Sequence, residues 1–194
     1  LSDSFRNQWK NIKPNTKFIY RDLSLCPPDF ISDEWIAAVF MQEAHRTQAQ
    51  QALLSLSDEL IEEIIEADII LLSTPMYNYG MPAVLKAWFD QVIRVNKTFS
   101  FDLERGDFPL EPILSGKTMV LITSCGEFDF HLGGIREKMN HLGPHIEVAS
   151  QYLGVETFFE IRSEYQEFRD QRHIDSFKKA QTDITHLVNE LTSS

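Results

Sequence analysis

The chain reads as an α/β protein: a doubly wound parallel sheet with helices on both faces. Three observations carry that reading. Segments of helical period alternate with short apolar runs along the 194 residues. The two middle runs, ADIILLS and KTMVLITS, are apolar without a polar alternation, as expected of strands covered on both faces. Their carboxyl ends run into unusually elaborate turns, where open α/β sheets place their ligands.

Each element has a local justification. Phe5, Trp9 and Ile12 share one helical face, so Ser2 to Ile12 is a helix that stops near Pro14. KFIYRDL, Lys17 to Leu23, is expected as a strand, ended by the Pro pair of LCPPDF. Trp35 to Ser55 is helical in pattern through Ile36, Val39, Phe40 and Ala44. Asp58 to Glu66 continues it, with Leu60, Ile61, Ile64 and Ile65 inward and the carboxylates on a solvated face. After the ADIILLS strand, helix is expected from Pro82 to Val95. Phe99 to Gly116 is a long irregular loop, and such loops are usually functional or mobile. Lys117 to Ser124 is a strand, and Gly134 to Leu153 a helix interrupted at Gly143-Pro144. VETFFEIRS is the last strand and Phe168 to Leu191 the closing helix. No repeat, linker or low-complexity tract divides residues 1–194, so one domain is expected.

Composition narrows the function classes. Hydrophobic residues make up 43% and charged residues 24%, a globular balance. The formal net charge of -11 disfavours nucleic acid and anionic lipid as partners. No apolar run is long enough to span a bilayer as a helix. Cys26 and Cys125 are far apart and outside any metal-binding spacing, which suits reduced thiols in a cytoplasmic protein. His141 and His145 have helical metal-pair spacing, but Gly143-Pro144 breaks the turn between them and no third ligand is placed, so no metal is expected. No Ser/His/Asp arrangement stands out. Cys125 is expected to be an ordinary buried thiol and GIREK, from Gly134, an ordinary helix start.

Two strand ends carry the candidate site. Thr74 to Met81 follows the first apolar strand, and TSCGEF, Thr123 to Phe128, follows the next. Each offers backbone N–H groups in a tight turn. A planar heterocycle could lie between them, its polar edge read by peptide groups and its faces covered by Met76, Tyr77 and Tyr79. Tyr79, Phe99, Phe101 and Phe108 could form the apolar wall of a substrate pocket.

The stretch PMYNYGMPAVLKAWFDQV, Pro75 to Val92, resembles the flavin loop and following helix of the FMN-dependent NADH-azoreductases, also called NAD(P)H quinone reductases. LSDEL before the strand, KTFSF after the helix and LSGK before the next strand also match that family. The resemblance spans nearly the whole chain. It implies a flavodoxin-like fold with strand order 2-1-3-4-5, FMN as cofactor and NADH or NADPH as donor. It further implies two-electron transfer to quinones and azo compounds by a ping-pong mechanism, in a homodimer. By the same resemblance Pro75, Met76, Tyr77, Asn78 and Tyr79 hold the isoalloxazine, and Ser124, Cys125, Gly126 and Glu127 form the second flavin loop. The chemistry would reside on the flavin, with no catalytic side chain required.

The chain departs from the family pattern in two places. Relatives commonly carry Ser-Arg-Gly-Gly where this chain has Ser-Cys-Gly-Glu, which bears on the flavin's potential. The family also opens with a strand and a phosphate-binding loop, whereas LSDSFRNQW matches the helix just after that loop. In the expected order that strand is central. Its loss would leave two sheet edges unpaired, at about 1–3 kcal/mol per orphaned polar group. The expectation is therefore a fragment, the alternative a true truncation that binds FMN poorly. A flavin-free flavodoxin-like module that serves as a binding or structural partner is the competing functional reading.

Overall fold

β4, Lys117–Ser124, is the centre of the observed sheet, and it is buried on both faces. Its period of two sends Met119 and Leu121 to one side and Val120 and Ile122 to the other. The computed structural model describes residues 1–193. On the first face Met119 and Leu121 meet Leu60, Ile61 and Ile64 of α3 (Gln48–Glu66) and Leu85, Trp88 and Phe89 of α4 (Ala83–Val92). Ile146 of α5 (Gly143–Ser150) joins them. On the second face Val120 and Ile122 meet Phe5 of α1 (Ser2–Ile12) and Ala180, Ile184 and Val188 of α6 (Gln171–Ser193). Each large side chain fully buried this way contributes about 1.5–3 kcal/mol.

β1 (Ile69–Pro75) and β5 (Val155–Ser163) flank β4, both parallel to it. The order β1-β4-β5 is the 3-4-5 part of the expected 2-1-3-4-5 arrangement. No strand pairs with the other edge of β1 among the described residues.

That edge accounts for one correction. Lys17 to Leu23 is not a strand: it is irregular and belongs to no ladder. A strand exists only with a hydrogen-bonded neighbour, and among the described residues no strand lies beside this segment. The segment is instead tied to α3 by charge. Arg21 pairs with Glu59 and Glu63, and Lys17 with Glu66. Three of the carboxylates expected on a solvated face therefore have basic partners, and a fourth, Asp58, meets buried Arg94.

Other boundaries also move. The expected Trp35–Ser55 helix is two helices. α2, Asp33–Phe40, ends before Met41, and α3 starts afresh after Thr47, whose side chain and that of Gln50 form a reciprocal capping box. Ile36, Phe40 and Ile65 are exposed rather than inward. The long Phe99–Gly116 loop contains an antiparallel hairpin, β2 (Phe99–Phe101) with β3 (Leu110–Pro112). Of the expected Gly134–Leu153 helix, the α-helical part is α5. Pro144 starts α5 instead of interrupting it, because a first-turn proline gives up an N–H that has no helical partner anyway.

Candidate functional site

The last rung between β1 and β4 pairs Pro75 with Ser124, so the two elaborate turns begin side by side. The Met76 N–H donates to the Ser124 carbonyl at 2.9 Å and ties the turns together. The first then closes on itself. Tyr77 N–H donates to Gly80 O at 2.9 Å, and Gly80 N–H to Tyr77 O at 3.0 Å. Between them Asn78 has φ 48° and Tyr79 φ 66°. Left-handed backbone at both central residues is the pattern of a type I′ turn. Asn tolerates it, whereas for a residue as bulky as Tyr79 it costs about 1–2 kcal/mol. Tyr79 is held there by a bond from the His141 N–H to its carbonyl, 2.9 Å. The Asn78 and Tyr79 N–H groups have no protein acceptor among the described residues, so both are available to one brought by a ligand.

The side chains divide by role. Met76 is half-buried against the core beneath the turn. Tyr77 is exposed, as is Asn78, and Tyr79 is 39% exposed with its ring 6.4 Å from that of Phe130.

The second turn is zipped to the end of β5. Cys125 N–H donates to Ser163 O at 2.9 Å, Gln166 N–H to Cys125 O at 3.1 Å, and Glu167 N–H to Gly126 O at 3.2 Å. Tyr165, itself at φ 64°, donates its N–H to Glu127 O at 3.1 Å. The Glu167 side chain packs directly on Gly126, where a Cβ would lie 2.7 Å from its carboxylate. Cys125 is buried, and burial, with Glu164 nearby, pushes its thiol up to about 12. It is a neutral side chain beneath the loop, and the loop faces outward with its backbone. The buried Thr123 hydroxyl, whose near polar neighbour is the Cys125 thiol, has no partner at hydrogen-bond geometry.

Glu127 departs from a backbone-only site. Its carboxylate accepts from Arg136 Nε at 3.0 Å and lies 2.9 Å from Arg136 Nη2. The same guanidinium sits 4.4 Å from the ring centre of Phe128, and Phe128 stacks on Tyr165 at 4.4 Å. The Glu127 carboxylate also raises the Tyr79 phenol above its ordinary value, so the two turns feel each other electrostatically. GIREK is therefore not an ordinary helix start. Its arginine reaches back nine positions to the second turn. Sequence reasoning missed Arg136, Phe130 and Tyr165, and the only signal for Arg136 was an unassigned basic residue near an acidic loop.

Four aromatics were expected to share a wall. Phe99 is half-buried, edge-on to Tyr152 at 5.6 Å. Phe101 and Phe108 stand exposed on the hairpin, Phe108 at 84%. Tyr79 faces Phe130, so the four do not pack on one another within this chain.

A cleft of about 340 Å³ opens at the carboxyl ends of the strands. Its walls include Thr74, Pro75, Thr123 and Ser124, which begin both turns, with Ser163 and Gln166. Another cleft, about 230 Å³ and lined by Val39, Arg46 and Lys97 among others, touches neither turn. The strand-end cleft is the candidate site, on geometry. The uncommitted N–H groups of Asn78 and Tyr79, on the turn that leaves this cleft at Pro75, suit a planar, acceptor-rich ring such as FMN carries.

Comparison with known proteins shows the family. The family model described as "Flavodoxin-like fold" matches residues 1–186. An FMN-dependent NADH:quinone oxidoreductase 2 of Colwellia psychrerythraea is 61% identical over 98% of this chain and 87% of its own length. One of Idiomarina loihiensis is 55% identical over 98% of this chain and 79% of its own. Among solved structures, an FMN-dependent NADH-azoreductase from Bacillus anthracis in complex with FMN superposes with TM-score 0.83 at 16% identity. That match covers 98% of this chain and 89% of the other. The chain belongs to the flavodoxin-like fold family, among the FMN-dependent NADH:quinone oxidoreductases.

Proposed function

We propose that this chain is an FMN-dependent oxidoreductase that passes two electrons from NADH or NADPH to quinones and azo compounds by a ping-pong mechanism. The observation that carries the reading is the Met76 N–H bond to Ser124 O, which fixes two backbone turns side by side at adjacent strand ends. FMN, when bound, supplies the electron-transfer chemistry. Pro75, Met76, Tyr77, Asn78 and Tyr79 would hold one edge of the ring, and Ser124, Cys125, Gly126 and Glu127 the other. The free N–H groups of Asn78 and Tyr79 orient the ring, and the Tyr79 and Phe130 side chains help exclude water from it. Cys125 contributes backbone only, since its neutral thiol faces inward.

The exposed aromatics and Leu103 of the β2–β3 hairpin suit a subunit interface, which supports a homodimer with the substrate pocket completed between subunits by Phe99, Phe101 and Phe108. We read residues 1–194 as one flavodoxin-like domain of a cytoplasmic enzyme. No helix among the described residues is long and apolar enough to cross a membrane.

Two measurements test this. The full-length protein should show visible flavin absorption that bleaches on adding NADH. A spectrum that stays featureless after adding FMN would transfer support to a flavin-free binding module. Initial rates at several fixed acceptor concentrations should give parallel double-reciprocal lines, and intersecting lines would sink the ping-pong claim.

A further inference from the structure

We propose that Arg136, through its ion pair with Glu127, sets the charge presented to a flavin held between the two turns and thereby sets that flavin's reduction potential. This inference rests on the flavin reading above.

The second turn is acidic by itself. Glu127 lies on it, and the Glu167 carboxylate packs against Gly126. The influence of Glu127 reaches across to the first turn, where it raises the Tyr79 phenol. Arg136 is the basic group that answers it. The guanidinium engages Glu127 with Nε and Nη2, at 3.0 and 2.9 Å. Its Nη1 donates to the Phe128 carbonyl at 3.4 Å, and its Cζ sits 4.4 Å from the centre of the Phe128 ring. Its backbone is fixed by an N–H bond to Asp129 O at 3.1 Å. Both side chains are mostly shielded, with 20% of the Arg136 and 30% of the Glu127 side chain exposed. Water therefore screens this pair less than a surface pair.

Charge at this place matters because reduction creates charge. Reduced nicotinamide delivers two electrons and one proton to the ring and leaves oxidised. Near neutral pH the ring then carries one more negative charge than before. A neutral Glu127–Arg136 pair leaves that product unopposed. A lone Glu127 repels it, and a lone Arg136 attracts it.

The test is a charge cycle on FMN-loaded, full-length protein. Arg136→Gln, Glu127→Gln, the double variant and Arg136→Lys are compared. The readouts are spectroelectrochemical titration of the flavin and FMN affinity by fluorescence quenching. In R136Q the affinity for reduced over oxidised flavin should fall about tenfold, a midpoint about 30 mV lower. E127Q should move it by a similar amount upward, and the double variant should return close to the unmutated value. R136K, which keeps the charge, should stay near it too. A role in merely shaping the loop predicts the same direction for both single variants and no recovery in the double. Single variants that shift together, or potentials that do not move, overturn the inference while the flavin reading stands. Failure of the unmutated protein to bind FMN overturns both. If R136Q does not fold, the upward shift in E127Q and its reversal in the double variant decide the matter.

Discussion

Burial decides which partner of the Asp58–Arg94 pair is costlier to lose. The Arg94 side chain is 1% exposed and that of Asp58 46%. Arg94 donates to the Asp58 carboxylate and, from Nη1, to Ser57 Oγ at 2.8 Å. Ser57 Oγ in turn donates to Gln91 O at 2.6 Å, which ties α3 to the C-terminal end of α4. In Arg94→Met the freed carboxylate returns to water, with Lys97 Nζ still 3.9 Å away, and Ser57 keeps Gln91. No buried group is orphaned. An unbranched apolar chain fills most of the space, so the loss should be about 1–2 kcal/mol. In Asp58→Ala the guanidinium stays buried beside a hydroxyl that cannot neutralise it, and the loss should be about 3–5 kcal/mol. Urea unfolding with equal m-values reads the difference directly. D58A should be less stable than R94M by at least ~1 kcal/mol. Equal losses, or a costlier R94M, would mean that Arg94 reaches water, and the buried-pair argument would fail.

Other consequences follow from single residues. Thr47→Ala removes the acceptor for Gln50 N–H in the α3 capping box and should cost about 1 kcal/mol in a thermal melt. Gly133 and Gly154 both have positive φ, at 81° and 83°, but a Cβ at Gly133 meets open space and one at Gly154 lies 2.6 Å from the backbone of Leu114 and Ser115. Gly133→Ala should therefore cost about 1 kcal/mol and Gly154→Ala about 3 kcal/mol or more, and denaturation midpoints should rank them that way. Cys125 gives an alkaline signature. Its thiol is raised from 9.0 to about 12, so between those values the unfolded chain has released a proton that the folded chain retains. The contribution is intact below pH 9 and stability declines above it, by roughly 1 kcal/mol per pH unit from this group. In Cys125→Ala, chemical denaturation between pH 9 and 11 should show a shallower decline, and an unchanged slope would refute the assignment.

How much of this was legible in the sequence depends on whether local pattern or distant pairing decides. KTMVLITS could be read as a doubly covered strand because period two and full apolarity belong to the segment itself. KFIYRDL carries similar strand chemistry, yet becomes irregular because a ladder partner is a property of another segment. The break between α2 and α3 was written in Thr47 and Gln50, but Ile36, Val39, Phe40 and Ala44 continue a helical period across the region and conceal it. At Gly143-Pro144 the error was one of sign. Proline excludes a helix interior and favours a helix start, and only the packing of Ile146 in the core decides which applies.

The site shows the same division. Its two turns were visible in advance as turns, because consecutive residues that end a strand, reverse and start a helix need turn residues at fixed offsets. The Tyr79 conformation was not visible: a tyrosine at φ 66° contradicts its own propensity and is imposed by the Tyr77–Gly80 closure and the bond from His141. Strain of that kind persists where surrounding structure over-determines it, and such places cluster at functional sites. The Glu127–Arg136 pair lay further out of reach, since nine residues of irregular chain carry no period. In the proposed reading backbone groups set where a ring can lie, and side chains from later segments set the charge around it.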